Sequence, residues 1–275
     1  MKTKAIVVSF ACLLAVLFLP VLGRAQSTDC TQPTGLVSDG RLAPPGSTFF
    51  IGNGVQQWFV LNRLKANRSY SVEITFTFGG DVGSMPNSSL FENTGFDGVA
   101  CTGTAVTSRT TQGIDPASDR SFGNVTSRRR SFTLTTSQDV RMTITNGTGV
   151  GFSYNVTVSE TTLFNPLWST FGGFETFYKI YNTTATSCSV TLDLRSDADA
   201  SVASVTFSVA GNNTSATRNT GPTDLNVADN QAGHAVITHD CPPGAIQADG
   251  FLRTVTIGGI VVLPIKIVVP REATH

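Results

Sequence analysis

Histidine is scarce, charge is thin, and no second membrane-length apolar run follows the one that opens this 275-residue chain. Each shortage removes a class of function. The 3 histidines, His234, His239 and His275, form no His-Glu-x-x-His helix, and no serine stands in a Gly-x-Ser-x-Gly elbow. Gly79-Gly80 and Gly172-Gly173 stand alone, without the spacing that cradles a phosphate. No Cys-x-x-Cys pair offers a metal knuckle, so neither metal nor cofactor is expected. Charged residues make up 14% of the chain, and its formal net charge of zero hides an asymmetry. Lys2, Lys4 and Arg24 lie in the first 25 residues, which hold no acid, so the remainder has a net charge of about −3 and no long-range pull toward nucleic acid or anionic lipid. Heptads and solenoid-length repeats are absent too.

What is present starts with an address. Lys2 and Lys4 precede an apolar run over residues 5–22, Pro20 breaks it near its end, and Gly23-Arg24-Ala25 follows. That order reads as a secretory signal peptide over residues 1–25, cut after Ala25. Cys12 leaves with it. Cys30, Cys101, Cys188 and Cys241 remain, an even number in an exported chain, and so read as two disulfides. Four cysteines permit three pairings. Cys30–Cys101 and Cys188–Cys241 are favoured, because each then closes a loop inside one expected domain. On the chain-entropy argument each contributes roughly 4 kcal/mol.

Period-two alternation dominates the rest. Tyr70, Val72, Ile74, Phe76 and Phe78 share one face, and Ser71, Glu73, Thr75 and Thr77 the other, the mark of a half-buried strand. The pattern recurs at Phe132 and Leu134, at Val140, Met142 and Ile144, and at Phe152, Tyr154, Val156 and Val158. Residues 58–61 are apolar in succession and predict a strand buried on both faces. Asn67-Arg68 and Asn146-Gly147 supply turns, the latter with the look of a hairpin connection. Residues 79–123 are poor in pattern, with one or two short strands expected near Leu90-Phe91 and over 99–106. Residues 161–166 read as a linker. Beyond it come strands near 177–181, 189–194, 202–209, 235–239, 251–257 and 260–269, with Pro264 marking the last as an edge or bulge, and a loop over 217–231. The fold class expected is all-β, two antiparallel β-sandwich domains over residues 26–161 and 162–275 after a cleaved signal peptide.

Gln57-Trp58-Phe59-Val60-Leu61, followed by Leu64-Lys65-Ala66-Asn67-Arg68-Ser69-Tyr70-Ser71-Val72, resembles the opening of bacterial pre-peptidase C-terminal (PPC) domains. Ser131 to Leu134 and Gly151-Phe152-Ser153-Tyr154-Asn155-Val156-Thr157-Val158 resemble that family's last strands, so the likeness spans residues 45 to 160. It departs over residues 79–123, where the family is more compact. The resemblance implies a small β-sandwich appended to secreted enzymes, an accessory role with no catalytic residues to carry over. Residues 162–270 look like an exported β-domain of another, unnamed kind.

Four groups of residues deserve a chemical reading. His239 and Cys241 would share a strand face as base and thiol, but an oxidised Cys241 is the expectation in an exported chain. Asp197-Ala198-Asp199 begins like a calcium loop yet lacks the turn glycine and distal glutamate, and reads as a solvated turn. Arg128-Arg129-Arg130 reads as a solvated strand edge. Trp168, Phe171, Phe174, Phe177, Tyr178 and Tyr181 crowd fourteen residues. Of these, Trp168, Phe171, Tyr178 and Tyr181 are the candidate ligand-binding set, a stacking platform for sugar rings, with core packing as the competing role. Eight Asn-x-Ser/Thr triplets, at Asn67, Asn87, Asn124, Asn146, Asn155, Asn182, Asn212 and Asn213, are what a composition so rich in those residues produces. The functional expectation is an exported, non-enzymatic surface, matrix or ligand-binding module, secreted or held at the cell envelope. A carbohydrate-binding protein or a secreted hydrolase accessory component are the alternatives. The expected partner is a glycan or another envelope protein, with no nucleic acid and no membrane span after signal cleavage.

Overall fold

The computed structural model describes residues 27–37, 48–77, 86–115, 124–256, 259–265 and 267; the leader expected over 1–25 lies outside them. The described chain is all β, apart from one 3-10 turn, Phe171–Gly173. Two sandwiches form from four sheets.

In the first, one sheet runs in the order β1 (Thr34–Val37), β3 (Gln56–Leu64), β8 (Gln138–Thr145), β5 (Asn87–Glu92). The facing sheet runs β2 (Phe49–Ile51), β9 (Phe152–Glu160), β4 (Arg68–Thr77), β7 (Asn124–Leu134), β6 (Arg109–Asp115). In the second sandwich the orders are β10 (Leu163–Ser169), β15 (Ala232–His239), β12 (Cys188–Arg195), β13 (Ser201–Val209) and β14 (Thr214–Asn219), β11 (Glu175–Asn182), β16 (Ile246–Thr256), β17 (Gly259–Ile265). Every pairing is antiparallel except β1 with β3, which is parallel.

The alternation sets the cores. Tyr70, Val72, Ile74 and Phe76 of β4 lie beside Phe152, Tyr154, Val156 and Val158 of β9, and close onto Phe59, Leu61, Val140, Met142 and Ile144 of the other sheet. A separate cluster joins Leu163, Trp168, Tyr178, Ile180, Val190, Leu192, Leu194 and Ile237. Only Thr161 and Thr162 separate β9 from β10, so the linker expected over 161–166 is mostly strand. A bulge between Asn165 and Trp168 takes up Pro166, which cannot donate to a ladder.

Three local expectations are corrected. The Asn146-Gly147 turn is not a hairpin, because β8 and β9 lie in different sheets and the chain arches from one to the other. Residues 99–106 form no strand, only isolated bridges at Thr102 and Ala105, and Val99 stands 97% exposed. The loop expected over 217–231 begins three residues later, after β14. Both disulfides pair as favoured, Cys30 with Cys101 and Cys188 with Cys241. Such bridges form in an oxidising compartment. No helix among the described residues is long and apolar enough to cross a membrane.

Candidate functional site at the sandwich junction

The two sandwiches meet over that part of the outer face of β4 and β7 where Ser69, Ser71 and Ser131 stand. Ser71 and Ser131 are register partners and both are buried, and β15 packs against these two strands. Serine is small enough to let another backbone layer approach, which is why this outer face is covered rather than solvated. Ser69 anchors the crossing chain: its amide donates to Thr162 Oγ1 at 3.0 Å and its carbonyl accepts from the Thr161 amide at 2.8 Å. Arg68 stacks its guanidinium 3.9 Å above the Phe164 ring and approaches Glu160 at 3.8 Å.

Arg109, on β6, reaches across the junction. It donates to Thr186 Oγ1 at 3.1 Å and to the Ser187 carbonyl, and lies 3.4 Å from Asp240 Oδ1 and from Cys241 Sγ. Asp240 in turn accepts the Ser189 amide at 2.8 Å. Ligand atoms of Cys188, Asp240 and Cys241 lie within 4.8 Å of one another, but the two sulfurs are bonded to each other and hold no thiolate for a metal.

Beside this clamp lies a cleft of about 300 Å³. Glu160 and Thr161 close it from the end of the first sandwich and the crossover; Leu163, Ile246, Ala248 and Ile267 give it aliphatic walls; Gln247 and His239 add polar groups. His239 is buried, with Nδ1 accepting the Cys241 amide at 3.2 Å and a backbone hydrogen bond to Thr161. Desolvation outweighs the nearby Asp240 charge and the Thr161 bond, and pulls its pKa down to about 4. A neutral imidazole beside an oxidised cysteine carries out no nucleophilic step, and the His239–Cys241 dyad is dissolved.

The aromatic platform is corrected as well. Trp168 is fully buried, opposite Gly233 in register, with Nε1 donating to the carbonyls of Arg195 at 2.9 Å and His234 at 3.0 Å. Tyr178 is equally buried, and burial raises its phenol pKa. Neither ring presents a face to a sugar. Phe171 stands 52% exposed on the 3-10 turn, and Tyr181 is half-buried on the outer face of β11 under the Lys179 ammonium. Phe171 precedes β11 and Tyr181 lies near its far end, about 20 Å from the strand's start at the usual rise, too far to hold one ring. Phe177, on that outer face, stacks on Phe251 at 5.3 Å.

At the turn over Asp197-Ala198-Asp199, Asp199 Oδ1 accepts from Arg195 and lies beside His234 Nε2, each at 3.1 Å, so its carboxylate already has protein partners. The Arg195 hydrogen bond is the main reason its pKa is lowered. The cleft residues Glu160, Gln247 and Ala248 escaped the sequence reading, because they come from two segments far apart in the chain and make no motif. No protein-family model and no curated protein matches the chain.

Proposed function

We propose that this chain is an exported, non-enzymatic binding module that seats a small, largely aliphatic ligand in the junction cleft. The carrying observation is the cleft itself: about 300 Å³, at the lower end of small-molecule sites, apolar in its walls, with a few polar groups. Among the described residues its lining holds a single carboxylate, Glu160, whereas hydrolysis by paired acids needs two. Glu160 and Gln247 favour a ligand bearing a hydrogen-bond donor at one end. The likeness to PPC domains supports an accessory role, and the disulfides support residence outside the cytoplasm, in the medium or at the envelope. The test is saturation-transfer NMR of the mature protein against a library of small aliphatic amines, alcohols and carboxylates. Ala248→Trp, which fills the cleft, is expected to remove the responding compounds, and Phe171→Ala to keep them. Compounds insensitive to Ala248→Trp, or none at all, overturn the reading.

One observation favours a second reading, self-association. Among the described strands β17 is an edge, and Ile260, Val261, Val262 and Leu263 are all exposed, so apolar side chains reach solvent on both of its faces. An uncharged, exposed edge is a template for another strand. Sedimentation across a concentration series supports this reading if the mass rises for the natural chain and stays monomeric for Val262→Lys; a constant monomer removes it.

A further inference from the structure

The arginine triplet is not a solvated edge. β7 is an interior strand, and its alternation splits the three. Arg129 points outward and pairs with Glu73 at 2.8 Å. Arg128 and Arg130 lie on the same face as buried Phe132 and Leu134, in register with buried Ile74 and Val72 of β4. They therefore point between the sheets, toward β5. There Arg128 donates to Asn87 Oδ1 at 2.8 Å; Arg130 donates to Ser88 Oγ at 3.2 Å, to the Ser88 carbonyl and, at 3.5 Å, to Ser108 Oγ.

Every one of those acceptors is neutral. Among the described residues Arg68, Arg109, Arg129, Arg195 and Arg218 each meet a carboxylate; Arg128 and Arg130 do not, and neither do Arg63, which is exposed, or Arg141 and Arg253, whose guanidinium groups lie over the rings of Phe96 and Phe177. Arg128 Nε is buried with no partner. Desolvation lowers the pKa of both, and Arg130 is lowered further by its neighbour's charge. Two like charges held together in a half-buried gap repel, and nothing described there offsets them. Guanidinium forks with spare donors match the geometry of an oxyanion.

We propose that the mouth of the first sandwich between β5 and β7 is an anion site, in which Arg128 and Arg130 bind a sulfate or phosphate group. Asn87 and Ser88 hold the two side chains in place and leave outer donors for the ligand. The group arrives either as the free ion or as an ester on a larger molecule.

The test follows the arginine Nε–Hε signals of the mature protein by NMR, at constant ionic strength. Sodium phosphate, sodium sulfate, glucose 6-phosphate, glucose 6-sulfate and sodium chloride are each titrated. The expected result is a saturable shift of the Arg128 and Arg130 signals with the oxyanions and none with chloride, while Arg129 in the same spectrum stays still. Saturation by the free ions or by the esters upholds the site and identifies which source it prefers. Arg128→Gln should weaken the midpoint about tenfold or more, with Arg129→Gln unchanged. A non-saturating response, one shared by chloride, or one equally large at Arg129 overturns the proposal. Because Arg129 is an internal reference, the natural chain decides the matter even if Arg128→Gln fails to fold.

Discussion

Two asparagines solve the same problem in the two sandwiches. Where the chain arches from one sheet to the other it leaves the ladder, and its carbonyls lose their strand partners. Asn146, between β8 and β9, donates Nδ2 to Val150 O at 2.7 Å, with Gly52 O and Ile51 O at 3.2 and 3.3 Å. Asn182, leading from β11 to β12, donates to Thr186 O at 2.7 Å and Val209 O at 3.0 Å. In each the Oδ1 accepts the amide and the hydroxyl of the threonine two residues on. Both side chains are buried, so these two Asn-x-Thr triplets are folding elements and their amides are not free for a glycan. Asn182→Ala is expected to destabilise by about 2–4 kcal/mol in urea unfolding, since it strands two carbonyls. His239 belongs to the same scale. Its folded pKa of about 4 lies below the ordinary 6.5, so the unfolded chain binds the extra proton first. Its contribution is therefore complete above pH 6.5 and is lost as pH falls toward 4. Unfolding measured between pH 7 and pH 4.5 should show a steeper loss for the natural chain than for His239→Gln.

At the scale of elements, alternation was a dependable guide wherever the inward residues were large. β4, β8 and β9 were legible because four, three and four apolar side chains fall on one face of each; Phe78, expected on the first of these faces, lies outside the described residues. β6 (Arg109–Asp115) and β14 (Thr214–Asn219) were not, because their sequences hold almost no large apolar residue, and in β10 Asn165 and Pro166 interrupt the pattern between buried Leu163 and Trp168. Close strand contact is invisible in the same way. Gly233 sits opposite Trp168, and a Cβ there would come within 1.9 Å of the Arg195 carbonyl oxygen. That oxygen also accepts the indole N–H. Gly233→Ala must push β15 away from β12, and is expected to cost about 3 kcal/mol or more in thermal unfolding, with loss of the Trp168 near-ultraviolet signal.

For the whole molecule, the junction is the point of interest, since both the cleft and the cross-sandwich clamp lie there. Arg109 links β6 to the loop that ends at Cys188 and to Asp240 beside Cys241. Its partners are part-exposed, so screening keeps the ion pair weak, and the carbonyl and hydroxyl bonds matter as much. Arg109→Met is expected to lower stability by only about 1–2 kcal/mol. Hydrogen exchange should nonetheless quicken at Ser187 and Ser189 while the two cores stay protected. Unchanged exchange there would show that the buried serine face of β4 and β7 holds the junction without the clamp.

By itself the sequence determined the class of this protein. A two-residue period states which way each side chain points, so all-β sheets with apolar faces follow from local chemistry, and the cysteine count and spacing pointed to the pairs that form. It also marked the arginine triplet and the aromatic cluster as unusual. Only the tertiary structure decided which strands pair, that the Asn146 turn is an arch, that Trp168 and Tyr178 are core, and that Arg128 and Arg130 face inward without a carboxylate. The physical reason is range: periodicity records an inside and an outside, whereas sheet partners, clefts and uncompensated charges depend on segments tens of residues apart that meet only when the chain closes.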